Sequence, residues 1–226
     1  MNTARDLAII SLSVPDRPVE QGDLSLALAG AELLDLVAAG ALGVDGDDRI
    51  VPGDRARGGE RLLDEAAALL VRQEPYEPVE EWLWRRGQGL SAVYFDELER
   101  TGSATRERGN RLSLRAARTV PLDSPAGRQA AERRASGEPV LAALAAVAGI
   151  GDGPAGGVED ESPDGVEETT PTSSAPSSTE VPASASIDEV TTAVLAAVGN
   201  AVIELEAVRQ QRSIQDAAFD NVWRGL

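Results

Sequence analysis

The chain has 226 residues, enough for one domain of ordinary size with a substantial apolar core. It has no histidine and no cysteine, and all 21 basic residues are arginine, which excludes histidine bases, thiolate nucleophiles, Schiff bases and most zinc sites. We therefore predict no enzyme, no cofactor and no metal site. The net charge of −17 argues against a nucleic-acid partner.

The N-terminus predicts a cytoplasmic protein. Acidic Asp6 directly follows Arg5, and no small-residue cleavage pattern comes after the short apolar stretch, so we expect no signal peptide. The lack of cysteine fits the same location.

The most apolar stretch is LALAGAELLDLVAAGAL at residues 26–42, and it predicts a core helix. It is 17 residues long and carries Glu32 and Asp35 near its centre, whereas a membrane span needs about 20 apolar residues almost without charge. On a helix, Glu32, Asp35 and Ala39 form one narrow polar stripe opposite a wide apolar face. We predict a helix over about 23–39, capped by Gly40.

Periodicity and turn residues predict the other elements. Before residue 101 they are, in chain order, a short helix or strand at 6–14, a hairpin at 41–52 with an Asp-Gly turn, and helices at 61–73, 79–86 and 91–100. After it come a hairpin at 105–122, with a turn at Gly109-Asn110 and alternating Leu112 and Leu114, and helices at 123–134 and 140–148.

Composition divides the chain into three parts. Residues 1–149 form a helical domain, and 150–185 are an acidic insertion rich in Pro, Ser and Gly that we predict to be disordered. Residues 186–226 form a last helix, opened by a capping box, that packs back on the domain. The predicted fold class is mainly α, a single compact helical domain with two short β-hairpins and a disordered insertion before the last helix.

Arginines concentrate in the second half of the domain and indicate an anionic partner. Residues 100–134 hold nine arginines against three acids, a local balance of +6. Near an anionic leaflet each arginine contributes about 1 kcal/mol. The predicted lipid-binding residues in the hairpin are Arg106, Arg108, Arg111, Arg115 and Arg118. A solvated sheet edge, or an internal partner for the acidic insertion, would explain the same arginines.

A second lipid-binding group is predicted on the helix at 79–86. Trp82 and Trp84 lie on opposite sides of that helix, so both cannot belong to the core. We assign Trp82 to the core, and Trp84 with Arg85 and Arg86 to a lipid interface, where an aromatic ring beside charged groups is suited.

Four motifs follow one another along the chain. They are LAGAELLDLVAAGAL at 28–42, LLDEA at 62–66, VEEWL at 79–83, and the stretch 98–114 followed by Pro121-Leu122. Their ordered set resembles the Golgi phosphoprotein 3 family (GPP34 domain), over about 5–148 and again at the last helix. The resemblance implies a mainly helical adaptor on cytosolic membrane faces that binds phosphatidylinositol 4-phosphate and holds other membrane proteins, with a possible homo-oligomer.

The family's headgroup pocket is built from a tryptophan and several arginines, and these positions differ here. The tryptophan position falls near Glu20, the helix arginine on Ala29, and the paired arginines near Gln88 and Ser91. The resemblance therefore carries the fold and membrane contact to this chain, and leaves the lipid headgroup open.

Three functions remain open on the sequence. The first is a peripheral membrane protein that binds anionic phospholipid headgroups and acts as an adaptor, with client membrane proteins as partners. The second is a soluble protein-interaction scaffold without lipid binding, and the third is a winged-helix-like DNA binder, which the net charge of −17 disfavours.

Overall fold

The structure is a computed structural model that describes residues 2–14, 19–53, 59–107, 118–151 and 187–224. Over these ranges the chain forms eight helices and two antiparallel strand pairs, which confirms the predicted mainly α fold. In chain order they are α1 Thr3–Leu12, α2 Gln21–Ala38, β1 Leu42–Val44, β2 Ile50–Pro52, α3 Arg61–Ala68, α4 Val79–Arg86, α5 Leu90–Arg100, β3 Ala104–Glu107, β4 Arg118–Pro121, α6 Pro125–Ala135, α7 Pro139–Val147 and α8 Ile187–Arg224.

Helix α2 is the centre of the core, as its apolar run predicts. It contacts α1, α3, α4, α5, α7 and α8, and Leu28 and Leu33 have no exposed surface. Gly40 ends the helix in the left-handed region at φ 68°, and the N–H of Ala41 reaches the carbonyl of Leu36. This is the predicted glycine cap, which only a residue without a β-carbon adopts at little cost.

The two acids of the polar stripe predicted on α2 are buried, which corrects the expectation that they face away from the core. Both acids of the run lie inside the body because each has partners from other elements. Asp35 accepts hydrogen bonds from the backbone N–H groups of Thr3 and Ala4, at 3.0 and 3.1 Å, and so caps the N-terminus of α1. Glu32 pairs with Arg86 of α4.

The first hairpin is confirmed, but its turn differs from the prediction. β1 and β2 pair through Leu42↔Pro52 and Val44↔Ile50, which leaves five residues between the strands instead of a two-residue Asp-Gly turn. The positive φ of 56° is at Asp48. The Asp45 carboxylate accepts from the N–H groups of Asp47 and Arg49 and holds the longer turn together.

The base of the second hairpin is attached to the helical body. β3 pairs with β4 in the register Ala104↔Pro121 to Glu107↔Arg118. Two hydrogen bonds fix the base, from Ser103 N–H to the carbonyl of Leu98 and from Leu122 N–H to the carbonyl of Ser103. The predicted turn at Gly109-Asn110 and the alternating Leu112 and Leu114 lie outside the described residues.

Helix α3 ends five residues before the predicted boundary at 73. The chain turns at Leu69, which is 47% exposed, and Leu70, which follows the helix, is buried in the core.

Helix α6 begins as predicted: Ser124 accepts a hydrogen bond from the N–H of Gly127, and Pro125 occupies the first turn, where its missing N–H costs nothing.

Within the described part of the chain, the buried apolar side chains of helix α8 lie in its first half. Val190, Val194, Val198 and Ala201 are buried, and the helix contacts α2, α4 and α7. Among the described helices it is the one long and apolar enough, by length and composition, to cross a membrane, over residues 187–216. Because its valines complete the core against α2, we assign it to the domain. Apart from residues 150 and 151, the predicted acidic insertion lies outside the described residues.

Candidate functional site

Helix α4 directs its aromatic residues inward. Trp82 is fully buried, as predicted, and its indole N–H reaches the carbonyl of Ala29 at 3.4 Å. Trp84 is half-buried and packs against the edge of the core. Arg85 lies over the Trp82 ring at 5.1 Å and donates two hydrogen bonds of 2.7 Å to the carboxylate of Glu77. The predicted interfacial tryptophan therefore contributes partly to the core.

Arg86 belongs to the core, which corrects its assignment to the lipid-binding set. Its side chain is only 11% exposed and donates two hydrogen bonds, of 2.7 and 2.8 Å, to the fully buried carboxylate of Glu32. The hydroxyl of Tyr94 donates a third at 3.0 Å. Burial raises the pKa of Glu32 above its ordinary value of 4.5, while the Arg86 and Tyr94 hydrogen bonds lower it. A guanidinium held in this way is not available to a headgroup.

The arginines of the second hairpin are only partly visible in the described residues. Arg106 on β3 is exposed, and it lies 3.4 Å from the carboxylates of Asp96 and Glu99 on α5. Arg118 lies on β4 opposite Glu107, and its side chain is outside the described part, as are Arg108, Arg111 and Arg115 entirely. β3 packs on α5 and β4 on α1, whereas α4 packs on α2 and α8, so the two predicted groups have different neighbours.

The balance of +6 counted along residues 100–134 does not describe the charge in space. Arg128 pairs with Asp123 at 2.6 Å, and Arg133 pairs with the fully buried Asp6 at 2.7 Å. Arg100 pairs with Glu97. Surface potential depends on such neighbours as well as on the count of arginines. Among the described arginines of this region, Arg100, Arg106, Arg128 and Arg133 each have a carboxylate beside them.

An arginine cluster that the sequence analysis missed lies beside the hairpin base. Arg61 of α3 and Arg100 of α5 both donate to the carboxylate of Glu97. These bonds, those of Arg100 first, lower the pKa of Glu97 from 4.5 to about 2. The contribution of the pairs to stability is complete above 4.5 and is lost as the pH falls toward 2. Only the i, i+3 spacing of Glu97 and Arg100 is visible in the sequence.

The positions of the family's headgroup pocket are filled without cations. Ala29 and Ser91 are buried, and the hydroxyls of Ser25 and Ser91 are 3.0 Å apart. The nearby first turn of α2 is covered by α8, whose Arg209 pairs with Asp23 at 2.8 Å. The described residues therefore place one guanidinium beside this turn, and a carboxylate neutralises it.

A mainly helical body that carries an arginine-bearing β-hairpin on one of its helices defines the class of this protein. The family model of Golgi phosphoprotein 3 (GPP34) matches residues 4–218, nearly the whole chain, so the chain belongs to that family. A comparison with curated proteins gives no match. The family is not known for enzymatic activity, and in the described ranges no group of three or more His, Cys, Asp or Glu side chains could hold a metal ion.

Proposed function

We propose that this protein is a peripheral membrane protein that binds anionic phospholipid headgroups through its second hairpin and works as an adaptor. Membership of the Golgi phosphoprotein 3 family carries the proposal. The composition of the hairpin supports it, since residues 104–121 contain five arginines and one acid on a chain of net charge −17. The site of action is the cytosolic face of a membrane, and the partners are anionic lipid and client membrane proteins.

The hairpin suits this role because its base is fixed while its arginines are concentrated between the strands. Arg108, Arg111 and Arg115 lie between the paired residues Glu107 and Arg118. Three arginines at a leaflet contribute about 3 kcal/mol in total, which is weak and reversible attachment. Several copies on one membrane would raise the apparent affinity without new contacts.

The proposed ligand is anionic phospholipid as a class. Selection of phosphatidylinositol 4-phosphate, which the resemblance implies, would need cations at the pocket positions, and Ala29 and Ser91 are buried there. Charge attraction without such a pocket discriminates headgroups mainly by net charge.

Replacing Arg108, Arg111 and Arg115 together by alanine should weaken binding to phosphatidylserine vesicles by about a hundredfold, because about 3 kcal/mol of attraction is lost. Co-sedimentation with anionic and neutral vesicles, repeated at increasing salt, measures the effect. The matched control replaces Arg72, Arg128 and Arg212, three exposed arginines elsewhere, and changes the net charge equally. If the original chain pelleted equally with neutral and anionic vesicles, or if both triple variants lost binding equally, the hairpin would not be the lipid-binding element.

A second candidate function is a protein-interaction scaffold, favoured by the outer half of α8. Ile203 and Ile214 are about 70% exposed and lie on one face of the helix, eleven residues apart. Between them, Ala207 and Gln210 continue the same face without a charge. An exposed uncharged stripe of this kind is typical of a protein-binding helix.

Changing Ile203 and Ile214 to aspartate should abolish client capture while leaving vesicle binding intact, if α8 is the docking helix. Pull-down from detergent-solubilised membranes with the full chain measures the capture. Ile187→Asp is the control, since Ile187 is equally exposed at the start of α8. Capture unchanged by the double substitution would exclude this face as the docking surface.

A further inference from the structure

A cavity of about 350 Å³ opens where the second hairpin leaves the helical body. Helices α1, α3 and α5 supply its walls, and Ser103, the residue directly before β3, lines its edge. The charged lining residues are Arg5, Glu60, Arg61, Glu97 and Arg100. The lining has three guanidiniums and two carboxylates, and Glu65, outside the lining, also accepts from Nη1 of Arg61 at 2.5 Å. Cavities of this size with a few convergent polar groups are typical ligand sites.

The carboxylate of Glu97 is held by guanidiniums from two helices. Arg61 donates from Nε and Nη2 to Oε2 at 3.1 and 2.6 Å. Arg100 donates from Nε to Oε2 at 2.9 Å and from Nη2 to Oε1 at 2.5 Å. Two arginine side chains that converge on one small anion form an arrangement that also binds phosphate. The planar guanidinium can donate two hydrogen bonds to two phosphate oxygens, as it does to a carboxylate.

A third arginine in the cavity wall has unused hydrogen-bonding capacity. Arg5 donates from Nη1 to Glu60 at 3.0 Å, but its buried Nε makes no hydrogen bond within the described residues. The nearest carboxylate oxygen, on Asp6, is 3.7 Å from that nitrogen, which is too long for a hydrogen bond. Asp6 Oδ1 is buried and without a hydrogen bond as well, so Nε of Arg5 is held against Asp6, and Arg5 contributes to the cavity through its positive charge.

We propose that this cavity binds a phosphate-type anion between Arg61 and Arg100, and that Glu97 occupies the two arginine forks when the ligand is absent. The ligand is a phosphomonoester, either a lipid headgroup or a free phosphate compound. The lipid source rests on the proposed membrane function, because the cavity lies at the base of the arginine hairpin. Binding of a free phosphate compound does not depend on the membrane function.

Exchange of Glu97 for a ligand is physically cheap. The side chains of Arg61 and Arg100 are 49% and 61% exposed, so water screens both guanidiniums, although the side chain of Glu97 between them is only 16% exposed. A phosphomonoester carries a charge of about −1.5 to −2 at neutral pH and has three acceptor oxygens. It therefore competes well with one carboxylate for the same two guanidiniums.

Two variants move the binding of inorganic phosphate in opposite directions. Glu97→Gln should strengthen binding by roughly threefold, because the competing charge is removed from both arginines. Arg61→Ala with Arg100→Ala should weaken it by at least roughly tenfold. Calorimetric titration of the full chain with inorganic phosphate measures both, and Arg128→Ala, which breaks the exposed pair with Asp123, is the control.

Vesicles distinguish the two sources of the anion. If the ligand is a headgroup, Glu97→Gln also strengthens co-sedimentation with phosphatidylcholine vesicles that contain phosphatidic acid. If only inorganic phosphate responds, the site takes a free phosphate compound and the proposal stands without the membrane. The Arg108, Arg111 and Arg115 variant should keep its phosphate binding even if it no longer pellets with vesicles, which separates this site from the hairpin.

The proposal fails on either of two results. One is no heat of phosphate binding in both the original chain and Glu97→Gln. The other is equal phosphate affinity in the original chain and the Arg61→Ala, Arg100→Ala variant. Matching urea midpoints for these variants would show that unfolding does not cause a loss, as expected for exposed side chains.

Discussion

Replacing Arg86 by methionine should lower the free energy of unfolding by about 3–5 kcal/mol, the cost of leaving a buried charge without its partner. Glu32 is fully buried, and both of its oxygens accept from the Arg86 guanidinium. Methionine keeps most of the aliphatic length of the side chain. The loss of unfolding free energy therefore reflects the missing guanidinium charge more than the lost side-chain volume. Urea unfolding followed by circular dichroism measures the change.

Two further variants test the cause of that loss. Adding Glu32→Gln to Arg86→Met should recover part of the stability, because a neutral amide replaces the unpaired carboxylate and can still accept from Tyr94. Arg128→Met removes an exposed pair and should cost no more than about 1 kcal/mol. A loss below that value for Arg86→Met would mean that water reaches Glu32.

The same pair has a pH dependence with a definite sign. Burial raises the pKa of Glu32, so the folded chain binds its proton more readily than the unfolded chain does. In Arg86→Met the two hydrogen bonds from Arg86 are gone while that from Tyr94 remains, so this pKa rises further. The stability deficit of the variant should therefore be small below the ordinary value of 4.5 and grow as the pH rises above it.

Sequence periodicity predicted the helices well and the role of their polar residues poorly. The run at 26–42 is a core helix because its apolar residues surround it, and that is a local property of the chain. The partners of its two acids are not local. Arg86 follows Glu32 by 54 residues, and Thr3 precedes Asp35 by 32, so spacing alone could only assign both acids to a polar stripe.

The candidate sites show the same limit. Arg106 and Arg100 counted as free positive charge in the sequence, but α5 brings carboxylates to both of them. Conversely, Arg61 and Glu97 carry no recognisable motif, and they meet only because α3 packs near the end of α5. Local charge patterns predict which segments are basic, whereas the packing of helices determines which guanidiniums remain available.

Replacing Gly30 by leucine should lower the free energy of unfolding by about 1–3 kcal/mol, because it forces α8 away from α2. A β-carbon at Gly30 would lie 2.4 Å from Cγ2 of Val198, too close for two carbon atoms that are not bonded to each other. Val198→Ala removes that methyl group and should restore part of the loss, as a favourable coupling in a double-mutant cycle of urea midpoints. Gly199→Leu is the matched control, since a β-carbon there meets nothing within 4 Å and should be neutral or stabilising. Equal effects at both glycines would show that α8 does not depend on close contact with α2.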